Sequence, residues 1–311
     1  MLAKLAVACL WLVSWLPFRA VGALGSMLGT LLHALPTSRR AIGRTNLRLC
    51  FPERSEAERE AILRGHFIAI VRMVLEYGYC WFASPARLRR LVAIEGLEHL
   101  TSLSSDTPVI LSMPHFTGLD LVGLRLSLET PTVTIYARQK NPWLDAFIRA
   151  KRLRLNTGIV FSRQEGVRSS VRALREGYRL YYLPDQDHGL RDSVFADFFG
   201  VPAATITGLP RLAALTRARV IPCFPRREAG GYTLVLQAPL DNFPSGDLSA
   251  DARRMNAVIE QQVLAVPKQY FWLHRRFKTR PPGKPPLYEG KARERDDPAS
   301  GEPSILPPTI D

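Results

Sequence analysis

The chain has 311 residues, 46% of them hydrophobic and 23% charged, which is enough for one large domain with its own core or two small ones. That balance excludes a bundle of membrane spans and confines any membrane contact to a segment. Lys+Arg 42 against Asp+Glu 28 leaves a formal charge of +14, which suits nucleic acid, anionic lipid headgroups, phosphorylated glycolipids and acidic carrier proteins alike and does not rank them. The four cysteines, Cys9, Cys50, Cys80 and Cys223, form no C-x-x-C pair and no zinc spacing with histidine, so they are expected as reduced, buried thiols in a cytosolic compartment.

Residues 5–35 carry a single formal charge, Arg19, and Pro17-Phe18-Arg19 splits the stretch into two apolar halves. The segment is long enough to span a bilayer once if the break is tolerated, or it lies in the interface as a bent hairpin. A cleaved signal is disfavoured because the apolar character resumes beyond Arg19. Arg39, Arg40, Arg44 and Arg48 follow at once and, by the positive-inside rule or by contact with anionic headgroups, keep the rest of the chain on the cytoplasmic side. The expected organisation is a membrane anchor over 1–35, a folded domain over 36–288 and a tail over 289–311. Pro, Gly and charged residues dominate from Pro281 onward, so the tail is expected to be disordered.

Ser55-Glu56-Ala57-Glu58 is a capping box. The helix behind it places Leu63, Phe67, Ile70, Val74, Tyr77 and Trp81 on one apolar face, read as core or as the wall of a lipid groove. After Pro108 short apolar runs at 109–113, 132–135, 179–183, 220–224 and 232–237 read as strands, and 119–128, 142–153, 166–176 and 206–215 read as helices. The alternation predicts an α/β fold with a central mixed sheet covered by helices.

One stretch carries chemistry. Met113-Pro114-His115-Phe116-Thr117-Gly118-Leu119-Asp120 puts His115 at the carboxyl end of a strand, where open α/β sheets hold their ligands. Five residues of regular helix would place His115 and Asp120 about 140° apart, so they meet only across a turn, which Pro114 and Gly118 supply. A neutral imidazole steered by a carboxylate is a general base. With no serine or cysteine nucleophile attached to the pair, the proton would come from a substrate hydroxyl in a direct transfer. The bland alternative is a structural histidine beside a helix-capping aspartate. Asp185 and Asp187, in Pro184-Asp185-Gln186-Asp187-His188, belong to a second strand-end loop facing the same cleft; two carboxylates without a third ligand make a poor metal site, and no metal is expected. His188 and His274 are rival bases, the latter amid Arg275, Arg276, Lys278 and Arg280, whose charges disfavour its protonation. Arg149, Lys151, Arg152 and Arg154, followed by Arg163, Arg168, Arg172 and Arg175, form basic faces that are either simply solvated or hold carrier-protein acids and lipid phosphates. Phe198, Phe199 and Trp272 are read as core.

The segment around His115 resembles the H-x4-D/E block of the glycerophospholipid-type acyltransferase superfamily. Four further stretches, Tyr136-Ala137-Arg138-Gln139-Lys140-Asn141-Pro142, 181–189, 198–205 and 272–281, resemble in matching order the late acyltransferases of lipid A biosynthesis, and the likeness runs from about residue 5 to residue 288. The resemblance implies a glycerolipid acyltransferase-like fold and transfer of an acyl chain from acyl carrier protein to a hydroxyl of a lipid A precursor at the inner face of the bacterial inner membrane, with no cofactor. It assigns His115 as base and Asp120 as its partner. Arg138 falls to a phosphate or the developing oxyanion. Asn141, Arg152, Arg163, Asp185 and Asp187 are further candidates for substrate binding. Met113-Pro114 stands where many superfamily members have an asparagine. Other branches acylate a lysophospholipid, an ornithine lipid or a mannosylated lipid, so the acceptor stays open. Nucleic acid is not an expected partner, because the arginines are spread rather than interleaved with stacking aromatics.

Overall fold

The computed structural model describes residues 1–155, 158–162 and 166–288. Two apolar helices come first, α1 (Leu2–Val13) and α2 (Phe18–Ala34), separated at Pro17, whose extended backbone ends any continuous helix. No single helix among the described residues is long and apolar enough to cross a membrane; α2 and the next helix, α3 (Ser38–Cys50), pass such a test only together, and they are bent by 90°. The expected anchor is therefore two short helices. Helix α4 (Glu56–Phe82) starts at the predicted capping box, with Ser55 and Glu58 each bonding the other's backbone N–H. It packs closely on α2: a Cβ added to Gly29 would lie 2.5 Å from the Ile68 Cα.

The chain continues through α5 (Pro85–Leu91), β1 (Val92–Glu95), α6 (Glu98–Thr101), β2 (Val109–Ser112), α7 (Leu119–Leu126), β3 (Thr132–Tyr136), α8 (Pro142–Arg152), β4 (Gly158–Ser162), α9 (Gly166–Arg175) and β5 (Arg179–Tyr182). It ends with a hairpin of β6 (Ser193–Phe198) and β7 (Val201–Ile206), then α10 (Gly208–Thr216), β8 (Arg219–Arg227), β9 (Tyr232–Leu236) and α11 (Leu248–Ala265). The five predicted strands are present. β1, β4 and the β6–β7 hairpin add to them.

Seven strands form one mixed sheet in the order β1-β9-β8-β2-β5-β3-β4. Strands β8, β2, β5, β3 and β4 are mutually parallel, and β9 pairs antiparallel with β8. Both faces are covered, which is why the strands read as unbroken apolar runs. Ile110, Leu180 and Val220 join a core with α9, α10, α11 and the start of α4; Val109, Leu111, Tyr181 and Ile221 join a second core with α5, α7 and the end of α4. Phe198 and Trp272 are core, as expected. The thiols are free, and Cys50, Cys80 and Cys223 are buried, but Cys9 is exposed on α1, whose surroundings are not protein core. The tail, 289–311, lies outside the described residues.

Candidate active site

Strand register brings together two residues that are far apart in the chain. β2 and β5 pair in parallel, Ser112 opposite Tyr182, and the ladder continues one step as the Met113 N–H donates to the Tyr182 carbonyl at 2.8 Å. Both strands then turn at a proline, Pro114 and Pro184, so His115 and Asp185 leave the same sheet edge at the same level. His115 Nδ1 lies 2.7 Å from Asp185 Oδ1, and the His115 backbone N–H donates to Oδ2 at 3.0 Å. Asp185 is 2% exposed. Its burial would raise the carboxyl's pKa, but the charge of His115 and its hydrogen bonds outweigh that and hold it below the ordinary value. An ionised carboxylate only accepts, so Nδ1 carries the proton that faces it.

The loop bearing His115 is clamped by a segment from the far end of the chain. The Phe271 N–H donates to the His115 carbonyl at 2.9 Å, the Thr117 N–H to that of Gln269 at 2.8 Å, and Phe116 forms a β-bridge with Tyr270. Gly118, at φ +89°, turns the chain into α7; a side chain there would be strained and would run into the Tyr232 ring, 2.1 Å from the Cβ position.

Asp120 sits in the first turn of α7 and does not hydrogen-bond His115 among the described residues. Its Oδ2 accepts from the Tyr77 hydroxyl at 2.5 Å and its Oδ1 from Arg152 Nη2 at 2.8 Å. The expected pairing is thus corrected: the turn at Gly118 aims Asp120 at α4 and α8, and the carboxylate on the imidazole is Asp185. Burial first, and then the Asp120 charge, push the Tyr77 phenol well above its usual range, so it stays a neutral donor. Asp120 in turn raises the Arg152 guanidinium above its ordinary value. The result is a cation pinned by a carboxylate beside the histidine.

The remaining candidates fall elsewhere. Asp187 is buried and binds its own chain, accepting from the Gly189 N–H at 2.9 Å and from the Thr279 N–H and hydroxyl, both at 2.8 Å. Asn141 caps α8, accepting from the Leu144 N–H at 3.1 Å. Arg138 is exposed beyond β3, and Arg163 lies outside the described residues. His274 accepts from the Asp187 N–H through Nε2, and burial first, then the nearby Arg276 charge, take its pKa down to about 3, so it is a neutral strut. Tyr77, read from sequence only as part of an apolar face, belongs to the site; its spacing matches the core positions around it, and only the fold shows that its hydroxyl meets Asp120.

These groups open on a cavity of about 630 Å³. His115, Asp120 and Arg152 line it together with apolar walls from α4 (Val74, Trp81), α7 (Leu124), β3 (Ile135), α8 (Ile148) and β4 (Val160), and Leu10 of α1 also contributes. The predicted α4 face therefore divides, Leu63 and Phe67 entering the core while Val74, Tyr77 and Trp81 line the cavity.

Fold and site together define an α/β protein in which a histidine–carboxylate pair, with a fixed guanidinium beside it, opens onto a long apolar cavity. The family description "bacterial lipid A biosynthesis acyltransferase" matches residues 1–279, and the chain belongs to that family. It is 36% identical over 288 residues to the lipid A biosynthesis lauroyltransferase of Escherichia coli strain K12, covering 91% of this chain and 94% of that protein. The palmitoleoyltransferase of the same strain is 33% identical (90% and 92% covered) and its myristoyltransferase 34% (85% and 83%). The protein is an acyltransferase enzyme.

Proposed function

We propose that the enzyme transfers an acyl chain from an acyl-carrier-protein thioester to a hydroxyl of a lipid A precursor, at the cytoplasmic face of the bacterial inner membrane. The supporting observation is an imidazole whose Nδ1 is fixed by a buried carboxylate and whose other nitrogen is left for a substrate proton, at the polar end of an apolar cavity. His115 takes the proton of the acceptor hydroxyl as its oxygen bonds to the thioester carbonyl carbon. Asp185 stabilises the resulting imidazolium. Arg152, held by Asp120, meets the oxyanion or an acceptor phosphate. Collapse breaks the carbon–sulfur bond, and His115 returns the proton to the departing thiolate. No step forms an acyl-enzyme.

Membrane docking through α1 and α2 fits the same reading. Leu5, Trp11, Leu12, Trp15, Leu16, Leu28 and Leu31 are exposed, an unusual density of apolar side chains for a soluble surface. Two short helices lying in the interface suit them, with the arginines of α3 near the headgroups.

The test is transfer of labelled acyl groups from carrier-protein thioesters to a lipid A precursor in mixed micelles. His115→Ala should retain its melting temperature and lose activity by about 10²- to 10⁴-fold. Wild-type turnover in that variant overturns the base assignment. Transfer by the wild type to lysophospholipid, ornithine lipid or mannosylated lipid instead overturns the acceptor.

A further inference from the structure

The cavity reaches far beyond the catalytic groups. β3 and β4 pair from Thr132 opposite Gly158 to Tyr136 opposite Ser162, and their carboxyl ends share the sheet edge that carries His115. Thr132, Gly158 and Tyr136 all line the cavity. At about 3.3 Å per residue, the lining therefore runs some 13 Å along β3, away from the histidine. Helix α7 follows the same course. Asp120, Gly123, Leu124 and Ser127 line the cavity at spacings of three, four and seven, which is one helical face about 10 Å long.

Gly123 stands one turn below Asp120 on that face. It lacks a side chain where the cavity passes Tyr181: a Cβ would come within 3.1 Å of that ring. That ring cannot easily withdraw, because its hydroxyl donates to the Leu119 carbonyl at 2.8 Å and the side chain is buried. A larger residue at 123 therefore meets the held Tyr181 ring and takes up cavity space that both residues line.

We propose that Gly123 is a specificity-determining residue that sets the length of the transferred acyl chain, by leaving open the passage from the catalytic end of the cavity to the deeper part beside Ser127 and Thr132. The donor's thioester carbonyl lies at His115, and its hydrocarbon tail runs down the α7 face past Gly123. The inference rests on the acyl-transfer function proposed above.

The experiment measures kcat/KM for the full-length protein with a ladder of saturated acyl-carrier-protein thioesters and one lipid A precursor. Gly123→Leu should lower the ratio of the longest to the shortest donor by roughly fourfold for each methylene expelled from the channel. Gly123→Ala should shift it in the same direction by less, and Ser127→Leu should penalise only the longest donors. Melting temperatures separate misfolding from selection, and the alanine and Ser127 variants keep the test open if the leucine at 123 does not fold. An unchanged donor profile in variants that fold and turn over overturns the proposal, as does a shift that follows the acyl chains of the acceptor instead of the donor. Failure of the wild type to use any acyl thioester would refute the acyl-transfer reading itself.

Discussion

The two carboxylates near His115 are treated very differently by the fold. Asp185 follows β5 at the sheet edge, 2% exposed, with both oxygens engaged by His115 and the Tyr270 hydroxyl also bonded to it. Asp120 lies half-buried on the α7 side, sharing itself between Tyr77 and Arg152 from two different helices. The α8 helix that supplies Arg152 buries none of its residues. His115 is thus held at the sheet edge, while the cation on the same cavity comes from a helix that is only partly buried.

That contrast can be broken by exchanging the carboxylates one at a time. Asp185→Asn removes the charge and turns one of the two acceptor oxygens facing His115 into a donor, and should lower kcat by at least about a hundredfold, whereas Asp120→Asn keeps an acceptor near Tyr77 and Arg152 and should act mainly on KM. Equal effects on kcat would show that the two carboxylates act as one unit. Next in size is a change away from the site: Glu76 of α4, buried, accepts from Arg227 Nε and Nη2 at 3.1 and 3.0 Å and from the Tyr232 hydroxyl at 2.6 Å. Glu76→Gln should cost about 3 kcal/mol, read by denaturant unfolding, while the variant that remains folded keeps the donor profile of the wild type.

The remaining effect is gradual and concerns acid. His66, whose Nδ1 faces the Lys268 carbonyl at 3.1 Å, is taken by burial from 6.5 down to about 4, and His274 falls to about 3. Both are neutral when folded and protonate more readily when unfolded, so the unfolded state binds more protons below pH 6.5. Stability should fall as the pH drops from 6.5 toward 4, by up to about 1.4 kcal/mol per pH unit for each histidine. Thermal unfolding across that window checks it. A flat profile would mean that water reaches these rings in the folded protein.

Much of this arrangement is legible in the sequence because the strands that matter are buried on both faces. β2, β3, β5, β8 and β9 show as apolar runs, and the loop around His115 announces itself through Pro114 and Gly118. β1 and β4 are edge strands whose short runs, Val92–Glu95 and Gly158–Ser162, do not stand out from neighbouring helix and basic sequence. The hairpin is hidden for a different reason: its turn at Phe199 and Gly200, both at positive φ, is flanked by Asp197 and Pro202, which are poor strand formers. The partner of His115 cannot be read from spacing at all. It depends on which strand lies next to β2, a fact of tertiary pairing that the nearest carboxylate in sequence does not reveal.

The clamp over His115 has a consequence for how the enzyme is made. The histidine loop is synthesised early, yet the backbone that grips it, Gln269 to Phe271, and the threonine that ties down Asp187, Thr279, come near the end of the described chain. During translation the His115 loop lacks these backbone bonds until the segment after α11 has been made. An unfinished chain would therefore carry His115 and Asp187 without the backbone and threonine that hold them.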